Sequence, residues 1–346
     1  MKKNTIAFVV VLLLAGITIL LMRQNGNSTV PKDLRDFAVA DTGSITKIFL
    51  ADKAGHQVTL QKIKSGEWKV NGKWKARNDG IFNLLFVIKN LSIKSMVGVQ
   101  AQTNVVKGLI TGAVKIEIYK GDDLLKVYYV GGQTPDDQGT YMLLSDPKTN
   151  ENSARPFVMC IEGQTRYLTP VYNTNENEWR DRTALACYPP DIKSVKLEYV
   201  AAKGASYEVI QTAFNRFKIT NLQNNANYPD FDTMAVRQYL TYFAGQSFET
   251  FLNGMDKTRR DSILGSSPLY ILTIKDKNDK STEIKLFGME PHREELDAKG
   301  KPEKFDLDRM YALINKDELV VAQFYVFGKL IPDIEYFAKN KAPVKK

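Results

Sequence analysis

Side chains able to do chemistry are few in this 346-residue chain, and they are scattered. There are two histidines, His56 in a turn after Ala54-Gly55 and His292 in a polar loop. Neither lies in an H-E-x-x-H or related spacing, which would set two ligands on one helix face. The loop Met289–Arg309 gathers Glu290, His292, Glu294, Glu295, Asp297, Asp306 and Asp308, ligand types for a hard cation. Five Lys/Arg in the same loop would neutralise such a site, so it reads as a solvated insertion. No metal ligand is assigned.

Gly131-Gly132-Gln133-Thr134 is a glycine pair after a strand, but a phosphate cradle needs a helix next, and Pro135-Asp136-Asp137 continues into another turn. It reads as a hairpin connection. There is no G-x-S-x-G elbow, and no S-x-x-K beside a plausible partner set. No catalytic or cofactor-binding residue is assigned, and no cofactor is expected. Cys160 and Cys187 lack C-x-x-C spacing, which excludes the usual zinc frameworks from cysteine alone. Two readings stay open for them: a disulfide across the end of the first module in an exported protein, or two small buried apolar residues. The densest local motif, Trp179-Arg180-Asp181-Arg182, has the types of a binding hot spot. The favoured reading is structural, a contact that fixes one module against the next.

The elements that must position these residues begin with an apolar run. Lys2 and Lys3 precede Ile6–Met22, which holds no charge and would span about 26 Å as a helix. It ends in Leu-Leu-Met-Arg, unlike a small-x-small cleavage site, so it reads as an uncleaved signal anchor. The two lysines favour a cytoplasmic N-terminus and a body on the far side of the inner membrane, in the periplasm. The net charge of +9 resides mostly at the ends: Lys2, Lys3, Arg23, Lys339, Lys341, Lys345 and Lys346 leave only +2 over Gln24–Ala338. A nucleic-acid binder concentrates Lys/Arg on one face, so that class of partner is not expected. With 43% hydrophobic and 25% charged residues the body can bury a core.

The body repeats. SITKIFLAD (Ser44–Asp52) and DIKSVKLEY (Asp191–Tyr199) alternate at period two, as half-buried strands do. Each is followed by a second strand ending in Trp68-Lys69-Val70 or Phe217-Lys218-Ile219, then by an Asp (Asp79, Asp232) where an N-cap belongs, then by an amphipathic helix. Ile81, Leu84, Leu85, Ile88 and Leu91 form one stripe; Val236, Leu240 and Phe243 form the other. The hairpins Val114–Gly132 and Leu269–Gly288 match, as do Tyr141–Leu144 with Tyr311–Ile314 and Leu168-Thr169-Pro170 with Leu330-Ile331-Pro332. The expected architecture is α+β: tail and anchor 1–23, tether 24–41, similar modules 42–190 and 191–339 with helices packed on one face of antiparallel sheets, and a basic tail 340–346.

With these residues in place, the chain resembles the membrane-anchored bacterial family defined by domain of unknown function 4340. The carriers are the anchor, the strand pair closing on Gly66-Glu67-Trp68, the helix after Asp79 and the stretch YLTPVYNTNENEWRDRTALACYPPDIKSVKLEY, Tyr167–Tyr199. The resemblance covers most of Ser44–Phe337 and supplies no catalytic residue. Because that family keeps company with ABC-type export systems, it implies a non-enzymatic accessory or binding subunit in the envelope, with exporter components as partners. The rival classes are an envelope enzyme with a site between the modules and a binder of cell-wall polymer.

Overall fold

Period-two alternation becomes antiparallel pairing in both halves of the chain. The computed structural model describes residues 36–149, 151–153, 155–291, 296 and 300–339. It divides into two units, Met1–Asp181 and Arg182–Lys346. The expected anchor 6–22, the tether up to residue 35 and the basic tail 340–346 lie outside the described residues. Among the described residues no helix is long and apolar enough to cross a membrane.

In the first unit, β1 (Lys47–Ala51), β2 (Gln57–Lys64), β3 (Glu67–Val70) and β4 (Trp74–Lys75) form a meander. Helix α1 (Asn78–Asn90) then crosses to β5 (Leu91–Met96), and α2 (Val99–Gly112) leads to a second meander. Its strands are β6 (Val114–Lys120), β7 (Asp123–Gln133), β8 (Thr140–Ser145) and β9 (Phe157–Ile161). Strand β6 pairs with β1, giving the order β4-β3-β2-β1-β6-β7-β8-β9-β5. Ile48 stands opposite Leu60 and Ile118, and Leu50 opposite Val58 and Ile116. All six are fully buried, so one apolar ladder runs across three strands. Ile81, Leu84, Val87 and Ile88 of α1 pack on that face. Burial of each large aliphatic side chain contributes about 1.5–3 kcal/mol.

Several expectations change here. Asp79 is not the N-cap of α1; Arg77 holds that position without a capping hydrogen bond, and its guanidinium pairs with the Asp79 carboxylate. Leu85 is only half-buried at the edge of the stripe. Gly131-Gly132 lies inside β7 rather than in a turn. A Cβ on Gly131 would come within 2.8 Å of Leu109 Cδ2, so the bare backbone there admits α2 against the sheet. Gly131 alternates with the core residue Val130, which places α2 on the face opposite α1. Helices therefore cover both faces, not one. The tether also stops sooner than position 41. Phe37 is buried against the Tyr128 and Phe157 rings, at 6.1 and 5.7 Å between centroids, and Val39 N–H donates to Ile88 O.

The second unit contains β10 (Thr183–Leu185), β11 (Ile192–Tyr199), β12 (Tyr207–Ala213) and β13 (Arg216–Asn221), then α3 (Thr233–Thr241). Next come β14 (Gln246–Ser247), β15 (Thr250–Phe251) and α4 (Lys257–Gly265). The last strands are β16 (Tyr270–Asp276), β17 (Ser281–Gly288), β18 (Arg309–Ile314) and β19 (Glu318–Gln323). The main sheet runs β13-β12-β11-β16-β17-β18-β19-β15, and β10 pairs separately with β14. From β3 to β5, the first sheet has the same order of connections. Asp232 caps α3, its Oδ1 accepting from Met234 N–H at 2.8 Å, as its sequence position predicts. Ala235, Val236, Tyr239 and Leu240 meet the main core. Phe287, Tyr311, Leu313, Leu319 and Val321 point to the other face and pack with Ile263 and Leu264 of α4. The unit begins nine residues before the expected Asp191, because Thr183–Leu185 pairs with Gln246–Ser247 and Cys187 N–H donates to Phe243 O.

Leu84→Asp and Leu240→Asp should each destabilise by more than about 4 kcal/mol, since each would bury an unpaired carboxylate. Leu85→Asp should cost less than half as much. Urea unfolding midpoints of the three variants check the ordering.

Candidate binding groove

The residues singled out for chemistry are placed first. His56 Nδ1 lies 2.9 Å from Asp52 Oδ2 in the β1–β2 turn. Asp52 also accepts from Thr174 Oγ1 at 2.7 Å and from the Ala54 and His56 backbone N–H groups. With the Thr174 hydroxyl as the largest cause, the Asp52 carboxyl falls to about 2. This is a carboxylate hub rather than a nucleophile relay, because Thr174 and His56 both bind Asp52 and neither activates the other. It ties the segment before Trp179 to the first hairpin.

His292, Glu294, Glu295 and Asp297 fall outside the described residues. Of the remaining loop acids, Glu290 lies 3.7 Å from Arg259, and Asp306 Oδ1 accepts from the Asp308 and Arg309 N–H groups. Among the described residues no three His, Cys, Asp or Glu side chains gather as a metal site requires. Cys160 and Cys187 are both free thiols, one in each unit and each half-buried, so of the two readings left open for them the disulfide is not formed. Cys160 sits in β9 opposite Ser92, and Cys187 is held beside Phe243. Partial burial raises both thiols above their ordinary range.

The boundary between units falls inside the Trp179–Arg182 motif. Trp179 is buried, with its Nε1 donating to Asn173 O at 2.8 Å. Arg180 bridges Ala76 and stacks 3.8 Å from the Trp74 ring centroid. Asp181 pairs with Lys75 Nζ at 2.6 Å. These three residues zip onto the edge strand β4. Arg182 belongs to the second unit, where its backbone O accepts from Phe248 N–H and its Nη1 donates to Glu249 O at 2.7 Å.

The two largest concave sites that sequence reasoning missed lie in the second unit. One groove, about 510 Å³, runs between α3 and the tip of the β12–β13 hairpin. Pro189, Pro190, Phe214, Phe217, Met234, Arg237, Gln238 and Leu240 contribute to its lining. Asn215, at φ 55°, takes the left-handed conformation that closes a two-residue turn and thrusts Phe214 outward. Phe214 is 76% exposed and Met234 65%, while Leu240 is buried in the core cluster and half-buried Phe217 packs against it. The signal in sequence was a phenylalanine beside Asn in a hairpin turn, where polar residues are usual.

A second groove, about 610 Å³ and mixed in its lining of apolar and charged side chains, lies where the 249–256 segment and α4 border the other face of the sheet. Met255, Met289, Tyr311 and Val321 give it an apolar lining, and its charges are already matched. Arg309 grips Glu249 through two hydrogen bonds of 2.8 and 3.1 Å, Arg259 donates to Tyr311 Oη, and Asp256 caps α4. The α3 groove differs. The polar contact of Arg237 among the described residues is Met234 Sδ at 3.9 Å, and no carboxylate pairs with it.

Two outcomes follow from the hub and the thiols. Asp52 has a depressed folded pKa, so its stabilisation is full above about pH 4 and is lost as pH falls towards 2. Thr174→Val should flatten that acid limb and raise the Asp52 carboxyl, as followed by carboxyl NMR. Alkylation without reductant should label both cysteines, more slowly at neutral pH than an exposed thiol. Compared with known proteins, the chain matches no family model, no curated protein and no solved structure.

Proposed function

We propose that this chain is a membrane-tethered, non-enzymatic accessory protein of the bacterial envelope. Residues 6–22 form the anchor, and the body stands outside the cytoplasm. Its two units are modules of one ancestral pattern, a reading supported by their shared order of strand connections. Exporter components of the ABC type are its partners, as the resemblance to the domain of unknown function 4340 family implies.

The observation that carries a binding role is the outward face of the first helix in each unit. Phe82, one turn before Phe86, is 73% exposed on α1, and Met234 stands out from α3 beside Phe214. Large apolar side chains in such clusters are unfavourable in water and mark interaction surfaces. Both helices are firmly docked on their inner faces, so they present these side chains on a rigid base. The polar groups nearest the mixed groove are matched within the chain, an arrangement that suits recognition better than proton transfer.

Two experiments test this. Protease added to cells with a permeabilised outer layer should digest the body, and protection until the inner membrane is broken would overturn the orientation. Crosslinking in native membranes followed by mass spectrometry should recover membrane-transport components. Recovery of the chain alone would sink the accessory reading.

A further inference from the structure

We infer that the groove between α3 and the β12–β13 hairpin docks an amphipathic segment of a partner protein that carries a carboxylate among apolar side chains. This rests on the accessory-subunit reading above and names where and what the unit recognises. Leu240 is buried in the core and half-buried Phe217 packs against it, so the groove cannot close by letting its floor sink. Phe214 and Met234 stand up on either side and supply apolar walls whose burial would be regained on docking. Pro189 and Pro190 add a stiff rim without N–H donors.

Charge decides the occupant. Arg237, exposed on α3 beside these apolar side chains, has no carboxylate partner among the described residues, whereas Arg259 and Arg309 in the same unit each have one. Once a docked segment covers Phe214 and Met234, the guanidinium forms its strongest hydrogen bonds with a carboxylate, and a two-pronged contact also fixes orientation. The chain's own 340–346, with Lys341, Lys345 and Lys346, has the wrong sign. A two-fold contact between copies centred on this groove would set Arg237 against its like. Nucleic acid would need a row of cations along its phosphates, and one arginine between Phe214 and Met234 does not provide it. Gln211, Asn215 and Gln238 at the rim offer neutral hydrogen bonds to an incoming backbone.

The test uses the full-length chain in its native membranes, with a photo-crosslinking phenylalanine analogue replacing Gln238. The expected result is capture of one protein at a segment where Asp or Glu lies between apolar residues. Arg237→Glu should lower the yield about ten-fold or more, as expected for a repulsive interface charge. Lys in place of the captured carboxylate should restore it. Thermal unfolding of Arg237→Glu, a surface change, should match the parent and so separate lost docking from lost folding. Absence of any crosslink, capture of lipid or of a second copy, or a yield indifferent to Arg237→Glu would overturn the proposal. The same probe at Phe82 separates the two readings. Protein capture there with none at Gln238 sinks the groove alone, and silence at both positions sinks the accessory role as well.

Discussion

Each unit depends on one long-range pairing. Strand β1 joins β6 through five residue pairs, from Lys47 opposite Tyr119 to Ala51 opposite Lys115. In the second unit β11 joins β16 from Ile192 opposite Asp276 to Tyr199 opposite Tyr270. Each join closes a loop holding the rest of the first meander, the far edge strand and two helices. Before it forms there are only two separate meanders, and a helix stripe such as Ile81, Leu84 and Ile88 has no continuous surface to cover. Closing a long loop costs little more than closing a medium one, but the contact is distant in sequence and its formation is correspondingly slow. The apolar ladder through Ile48, Leu60 and Ile118 holds the register, because a slip by one residue would turn every core side chain to the other face.

Covering both faces follows from the same join. Once β6–β9 or β16–β19 lies beside the first meander, its strands carry apolar residues on each side. Val320 and Ala322 enter the main core, while Leu319 and Val321 meet the cluster under α4. The first unit reaches a similar solution with Gly131, where the missing side chain lets Leu109 approach. The two units thus share connectivity while differing in surface. The mixed groove is lined by Met289, Tyr311 and Val321 in the second. In the first, the corresponding side of the sheet lies under the close approach of α2.

Much of the fold was legible because alternation and turn chemistry are local. The hairpin at Gly121-Asp122-Asp123, the one at Asp276–Lys280 and the cap at Asp232 each announce themselves within a few residues. The second helices were hidden. VQAQTNVVKGLITG is about as amphipathic as α1 yet buries little beyond Leu109, and KTRRDSILG is polar along most of its length. Asp79 misled because it stands in the first turn, where an acid also favours the helix dipole without capping it. The groove was harder still. Helical period sets Met234 off the stripe of Val236, Leu240 and Phe243, but only the fold brings it beside Phe214 of a separate hairpin.

Phe37 sets a leash length. Its ring is locked beside Tyr128 and Phe157, and the neighbouring Asp36 carboxylate holds Lys126 Nζ at 2.9 Å, so the folded unit already includes this point. In the proposed topology the segment between Arg23 and Asp36 is all that separates membrane from folded protein. Fully extended it would reach about 45 Å, at roughly 3.5 Å per residue. The first unit must then ride close above the bilayer, within range of a membrane-embedded machine and out of range of anything deep in the envelope. In that proposed topology a pull from the membrane would also arrive at the aromatic core directly, with Phe37 as the bolt that bears it.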